Sequence, residues 1–169
     1  MGEQPNNPGG MKRRVAQAFA ARVRQGNLGR DVQVVYRVAG GMPSQRVDYK
    51  IAVDSVGGAR VDAYDARSAR RAQEASIPPE KLNVAVLFEQ VSAGLHSLLP
   101  ASRAVFPPDA YVGSITISVE GNEETFYFVP EQEKRRTRDR GVAPAMEQAL
   151  QRFWGIARRL TETEKGLGQ

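Results

Sequence analysis

Two segments of the chain alternate between apolar and polar residues over the length of a β-strand. Residues 47–54 carry apolar side chains at every second position, with Asp48 and Lys50 between them. Residues 115–119 repeat this alternation in the second half of the chain. A period of two is the pattern of a strand with one buried face and one face in water. The chain is therefore expected to contain a sheet with one dry and one wet face.

Each alternating segment leads through a glycine turn into another segment that favours β-structure. Gly57-Gly58 joins the first to residues 61–64, and Gly121 joins the second to residues 125–129. A β-branched run at residues 32–38 comes before both and also ends at a glycine turn. Short glycine turns between such runs are typical of hairpins, so the sheet is predicted to be antiparallel.

Apolar residues at helical spacing predict two main helices after these strands. The first set is Val84, Leu87, Phe88, Val91, Leu95 and Leu98, and the second is Met146, Leu150, Phe153, Trp154, Ala157 and Leu160. We interpret residues 65–76 as a polar connector and residues 131–140 as an exposed charged loop. These patterns predict an α+β fold in which an antiparallel sheet packs against two main helices. A single domain is expected over residues 31–162, with a loose tail at residues 163–169.

The two halves of this domain follow a similar order. Ile51-x-Val53-Asp54 matches Ile117-x-Val119-Glu120, and each is followed by a turn, a strand, a basic connector, a proline and a helix. We interpret the order as two ββα-like units. A duplication would produce it, and so would the common arrangement of hairpins followed by helices.

The first thirty residues hold most of the excess positive charge. The whole chain has a net charge of +5, and this segment carries six lysines and arginines against one acid, Glu3. Prolines, glycines and asparagines dominate residues 1–10, a composition that cannot offset the entropy of ordering. We predict a flexible basic arm over residues 1–30, with a short amphipathic helix between Met11 and Arg24.

Composition excludes several classes of protein. The chain has 169 residues and 41% hydrophobic residues, values ordinary for one globular domain. It contains no cysteine, which removes disulfides and thiolate metal sites. No apolar run is long enough for a spanning helix, and the start lacks an apolar stretch typical of a secretion signal. We therefore expect a cytoplasmic protein without a membrane partner.

Residues for catalysis are sparse. His96 is the only histidine, and its helical position places it on the solvent side, so neither a nucleophile relay nor a zinc site is expected. The paired glycines do not continue into a phosphate-binding motif. A hydrolase using the carboxylates of Asp109 and Glu120 is the remaining enzymatic hypothesis. We predict no enzyme activity, catalytic residue, metal or cofactor.

Basic residues support an alternative function, that of a nucleic-acid-associated module or an accessory subunit of a larger assembly. The candidate contacts are Arg13, Arg14, Lys134, Arg135, Arg136, Arg138 and Arg140. Aromatic residues at positions 126–128 come shortly before the second group, but they lack the basic-glycine-aromatic opening of an RNA-recognition strand. A solvated charged loop is the simpler interpretation of this run.

The order of elements over about residues 32–160 resembles the emfourin family of small bacterial inhibitors of thermolysin-like metallopeptidases. Residues 34–42 are similar to that family's opening strand and Gly-Gly-hydrophobic turn, and residues 49–51 to its next strand. Residues 79–99 and 144–160 are similar to its two helices, and residues 109–121 to its Tyr-x-Ile-x-Val-x-Gly strand. The basic arm and the charged loop are additions to this pattern.

The resemblance implies a non-catalytic, protein-binding domain that blocks the active-site cleft of a metallopeptidase. Its partner would be another protein, in the most specific form a thermolysin-like metallopeptidase, rather than a nucleic acid. The exposed turn Gly40-Gly41-Met42-Pro43 is the candidate contact, because turns on a rigid sheet commonly carry binding residues. An ordinary hairpin connection would explain the same turn.

Overall fold

The structure is a computed structural model, and it describes residues 8–65, 70–130 and 141–166. The helices are α1 (Pro8–Gln25), α2 (Val84–Gly94) and α3 (Pro144–Gly166). The strands are β1 (Val32–Gly40), β2 (Val47–Asp54), β3 (Gly58–Asp65), β4 (Arg70–Ile77), β5 (Leu99–Pro100), β6 (Tyr111–Val119) and β7 (Asn122–Phe128).

The described strands form one antiparallel sheet in the order β4-β3-β2-β1-β6-β7-β5. Strand β1 lies at its centre, where Val35 is aligned with Ala52 of β2 on one side and with Thr116 of β6 on the other. The α+β fold with an antiparallel sheet is therefore confirmed. With seven strands the sheet is larger than the sequence indicated. Besides the two main helices, a third helix, α1, covers the short amphipathic helix predicted between Met11 and Arg24.

Strand β4 occupies most of the segment interpreted as a polar connector. Residues 70–77 pair with β3, and the register shifts between Val61 and Ala63. The segment lacks the β-branched alternation of a half-buried strand, so its sequence did not predict this structure. An edge strand tolerates polar residues because it lies at the margin of the core, and its main-chain hydrogen bonds do not depend on side-chain type. The charged loop at residues 131–140 lies outside the described residues.

Helix α1 forms within the segment predicted to be a flexible arm. Val15 and Phe19 are buried in the same apolar cluster as the sheet, and the Phe19 ring lies 5.7 Å from that of Phe88. Burial of a phenylalanine side chain contributes about 1.5–3 kcal/mol, which favours docking over a solvated helix. The helix predicted between Met11 and Arg24 thus lies within α1 and packs on the core. Residues 1–7 lie outside the described chain.

The core lies between one face of the sheet and the helices. Residues at alternate positions of β1, β2 and β6 are buried there, together with Phe88 of α2 and Met146 of α3. The ring of Tyr36 stacks on that of Phe153 with centroids 5.0 Å apart and planes 6° apart. Helices α2 and α3 approach each other closely at Gly94. A Cβ added to this residue would lie 2.4 Å from the Cβ of Met146.

The described helices are also too short or too polar to cross a membrane.

Candidate functional site

The face of the sheet turned away from the helices forms a shallow trough of about 760 Å³. We call it the open face. It consists of the polar positions of the alternating strands, from β3 at one side to β7 at the other. Val35, Ala52 and Thr116 lie side by side at its centre, so its floor is made of small side chains.

A row of polar side chains crosses this floor. Antiparallel register aligns Asp62 with Lys50, Lys50 with Arg37, Arg37 with Ser114, and Ser114 with Tyr127. Residues aligned across antiparallel strands have Cβ atoms about 5 Å apart. The open face therefore presents charges of both signs and one aromatic ring within a short distance of one another.

One cation of this row is already neutralised. The Arg37 guanidinium donates two hydrogen bonds to the Asp48 carboxylate, from Nε at 2.9 Å and from Nη2 at 2.7 Å. These hydrogen bonds raise the pKa of Arg37 above its ordinary value. Lys50 and Arg60 form no ion pair with any residue that the structure describes. They are therefore the cations of the open face that remain available to a partner.

The turn that follows β1 adjoins the open face at one end. Gly40 and Gly41 have φ angles of 120° and 92°, a region that favours glycine. A Cβ at Gly40 would lie 2.2 Å from the carbonyl oxygen of Ala110, and one at Gly41 would lie 2.8 Å from the Tyr111 ring. Both positions therefore require glycine for its backbone freedom and for its lack of a side chain.

Tyr111 also holds the far side of this turn. Its hydroxyl donates a hydrogen bond to the main-chain carbonyl of Gln45 at 2.9 Å. Pro43 begins a short 3₁₀ turn, and Met42 immediately before it is 50% exposed. The four residues predicted as a protein contact, Gly40, Gly41, Met42 and Pro43, thus form one braced turn with an apolar side chain in solvent.

The residues proposed for nucleic-acid contact are only partly described. Arg14 is exposed on α1, whereas the side chain of Arg13 lies outside the described part. The remaining candidates, Lys134, Arg135, Arg136, Arg138 and Arg140, lie in the segment that the structure does not describe.

The carboxylates considered for hydrolysis are far apart. Asp109 precedes β6 and Glu120 follows it, and a strand of nine residues spans roughly 30 Å. His96 is exposed in a short 3₁₀ turn after α2. No cluster of three or more His, Cys, Asp or Glu side chains suited to a metal ion occurs among the described residues. The structure thus brings none of these groups together with another.

Sequence reasoning identified the turn but overlooked the open face. The signal was present in the polar half of each alternating strand, at Arg37, Lys50, Arg60 and Tyr127. The alternation alone indicates that Lys50 faces solvent. That it lies beside Arg37 and near Arg60 and Tyr127 depends on the strand order and register.

No protein-family model matches the chain, and no curated protein matches it.

Proposed function

We propose that this chain is a non-catalytic protein-binding domain whose contact surface is the open face together with the turn Gly40–Pro43. One observation supports this most strongly: a sheet face that none of the described helices covers continues directly into a turn that is braced by Tyr111 and exposes Met42. A preorganised surface loses little conformational entropy on binding, so more of the contact energy remains as affinity.

The dimensions of the open face suit a protein partner. Five strands spaced about 4.8 Å apart give a width of roughly 20 Å, and the nine-residue strands β1 and β6 give a length of roughly 30 Å. The resulting area approaches the ~800 Å² that each partner contributes to a standard interface. The mixture of Lys50, Arg60, Asp62 and small apolar residues fits the polar composition of a non-obligate interface.

The sharpest form of this proposal is inhibition of a thermolysin-like metallopeptidase, as the resemblance to the emfourin family implies. An apolar side chain on a rigid turn can enter a substrate cleft without further ordering of the backbone, and Met42 has that position. The open face would then pack against the rim of the cleft.

The test is a titration of a thermolysin-like metallopeptidase, assayed with a fluorogenic peptide, by the full chain. We expect inhibition that Met42→Asp weakens at least about tenfold, because a charge replaces an apolar contact. Val56→Asp is the matched control, since Val56 is 46% exposed on the turn at the opposite end of the sheet. Absence of inhibition by the unmodified chain would refute the inhibitor function.

Binding of another protein partner is tested with the same two variants and with Lys50→Glu/Arg60→Glu. A partner recovered by the full chain should lose affinity for Met42→Asp or for Lys50→Glu/Arg60→Glu, but not for Val56→Asp. Equal affinity for all these variants would refute the proposed surface.

The alternative is a nucleic-acid-associated module or an accessory subunit of a larger assembly. The exposure of Arg14 and the net charge of +5 favour it. Phosphate contacts release counterions, so this function predicts that affinity for a labelled oligonucleotide falls steeply with salt and falls further in Arg13→Ala/Arg14→Ala. Oligonucleotide affinity that does not change with salt, or no detectable binding, would refute the nucleic-acid function.

We also propose a cytoplasmic location, which the absence of cysteine supports. We also propose that the fold consists of two ββα-like units. The β2–β3 and β6–β7 hairpins, followed later by α2 and α3, support it, although β4 is an additional strand in the first half.

A further inference from the structure

A second concave surface lies on the opposite side of the molecule, in the seam between α2 and α3. It encloses about 710 Å³. Its floor is apolar, made of Leu82, Leu87 and Ile156. Gly155 lies in its wall, and a Cβ added there would meet no atom within 4 Å. The groove is therefore open where a side chain would otherwise fill it.

The wall of this groove contains a buried polar atom without a partner. The Gln90 amide nitrogen donates to the Gln148 carbonyl oxygen at 3.0 Å, whereas the Gln90 Oε1 is buried and accepts no hydrogen bond. Exchanging the nitrogen and oxygen of both amides would keep the bond and leave the Gln90 nitrogen unpartnered instead. A buried amide group without its hydrogen bond costs about 1–3 kcal/mol, so a turn of the Gln90 amide toward a molecule that supplies the missing partner is favoured.

The charged side chains that line the groove, among the residues that the structure describes, have one sign. Lys81 and Arg152 line it and are exposed, and they form no ion pair with the described residues. Among the described side chains that line the groove, none is acidic. The open face differs, because Asp62 and Glu123 accompany its cations. Charge complementarity therefore selects an acidic occupant for the groove.

We propose that the groove between α2 and α3 binds an acidic linear peptide segment of a partner protein, independently of the open face. A peptide backbone offers both N–H and C=O groups, so it can satisfy Gln90 in either amide orientation. Acidic side chains of the segment would lie near Lys81 and Arg152, and an apolar side chain would lie on Leu87 and Ile156.

The length of the groove defines the length of the segment. Helix α2 has 11 residues and is about 16 Å long. An extended peptide advances about 3.3 Å per residue, so roughly five residues span the seam.

The test uses displayed random linear dodecapeptides selected on the full chain, with counter-selection on Lys81→Glu/Arg152→Glu. The most enriched sequence is then synthesised with a fluorescein label and titrated by fluorescence anisotropy. We expect enrichment of Asp and Glu, and a loss of affinity of at least about tenfold in Lys81→Glu/Arg152→Glu. Lys50→Glu/Arg60→Glu changes the net charge equally on the open face and should retain the affinity of the unmodified chain.

A second pair of variants tests the shape of the groove. Gly155→Phe should abolish peptide binding by filling the groove, whereas Gly155→Ala should preserve it, with circular dichroism melts verifying that both variants fold. The proposal is overturned if the enriched peptides have no acidic excess, or if the labelled peptide binds both charge-reversed variants equally. It is also overturned if no peptide binds but a labelled single-stranded DNA of 12 nucleotides does, and if Lys81→Glu/Arg152→Glu abolishes this DNA binding.

Discussion

Arg22 of α1 holds the Asp31 carboxylate through two hydrogen bonds, from Nη1 at 2.9 Å and from Nη2 at 2.8 Å. The same guanidinium lies 3.4 Å from Glu120 in the β6–β7 turn and donates to the main-chain carbonyl of Asn27 at 2.8 Å. A single side chain thus ties α1 to the start of β1 and to a distant hairpin.

This ion pair predicts a pH dependence of stability. The hydrogen bonds from Arg22 hold the pKa of Asp31 below its ordinary value. The unfolded chain then binds the proton more readily, so the contribution is present above about pH 4 and is lost as the pH falls through the folded-state pKa. We expect the Tm of the unmodified chain to decrease more steeply below about pH 4 than that of Asp31→Asn. Parallel curves from thermal melts at a series of pH values would contradict the pairing.

Docking of α1 predicts a large effect of Phe19→Ala. Phe19 is fully buried against Phe88, and removal of such a ring costs about 3–5 kcal/mol. The free energy of unfolding from urea titration should decrease by this amount. Arg14→Ala, an exposed change on the same helix, should alter it by less than about 0.5 kcal/mol. Equal small effects would indicate an undocked helix.

Two glycine substitutions should change stability in opposite directions. Gly94→Ala places a Cβ 2.4 Å from that of Met146 and should destabilise the fold by about 1–3 kcal/mol. Gly155→Ala places its Cβ in open space within α3, where alanine favours the helix by about 0.5–1 kcal/mol. Urea denaturation of both variants measures the difference. A stabilising Gly94→Ala would refute the close contact of α2 and α3.

Tyr111→Phe should loosen the Gly40–Pro43 turn without removing the ring beside Gly41. The lost hydrogen bond to the Gln45 carbonyl contributes about 0.5–1.5 kcal/mol. Hydrogen exchange of the Gln45 amide, which donates to the Met42 carbonyl at 2.8 Å, should become faster. Exchange of the Val35 amide in the central strand should stay unchanged. An unaltered Gln45 rate would show that the hydroxyl does not brace the turn.

The sequence predicted the elements whose pattern is local. The alternation of residues 47–54 and the helical spacing around Phe88 both correspond to observed elements. Strand β4 was missed because an edge strand needs no apolar alternation. A short amphipathic helix was predicted within α1, but Val15 and Phe19 are too few to show where it packs. The open face and the α2–α3 groove combine residues distant in sequence, so only strand order, register and helix contacts bring them together.

The one-sided core separates the residues that stabilise the protein from those that face solvent. Along β1, for example, Val34 and Tyr36 are buried whereas Val35 and Arg37 lie on the open face. Substitutions at the second set leave core packing intact, so mutation and selection can change recognition there at little cost in stability. A lineage carrying this fold could exchange one partner for another by altering every second residue of a few strands, while the packed half of each strand stays under constraint.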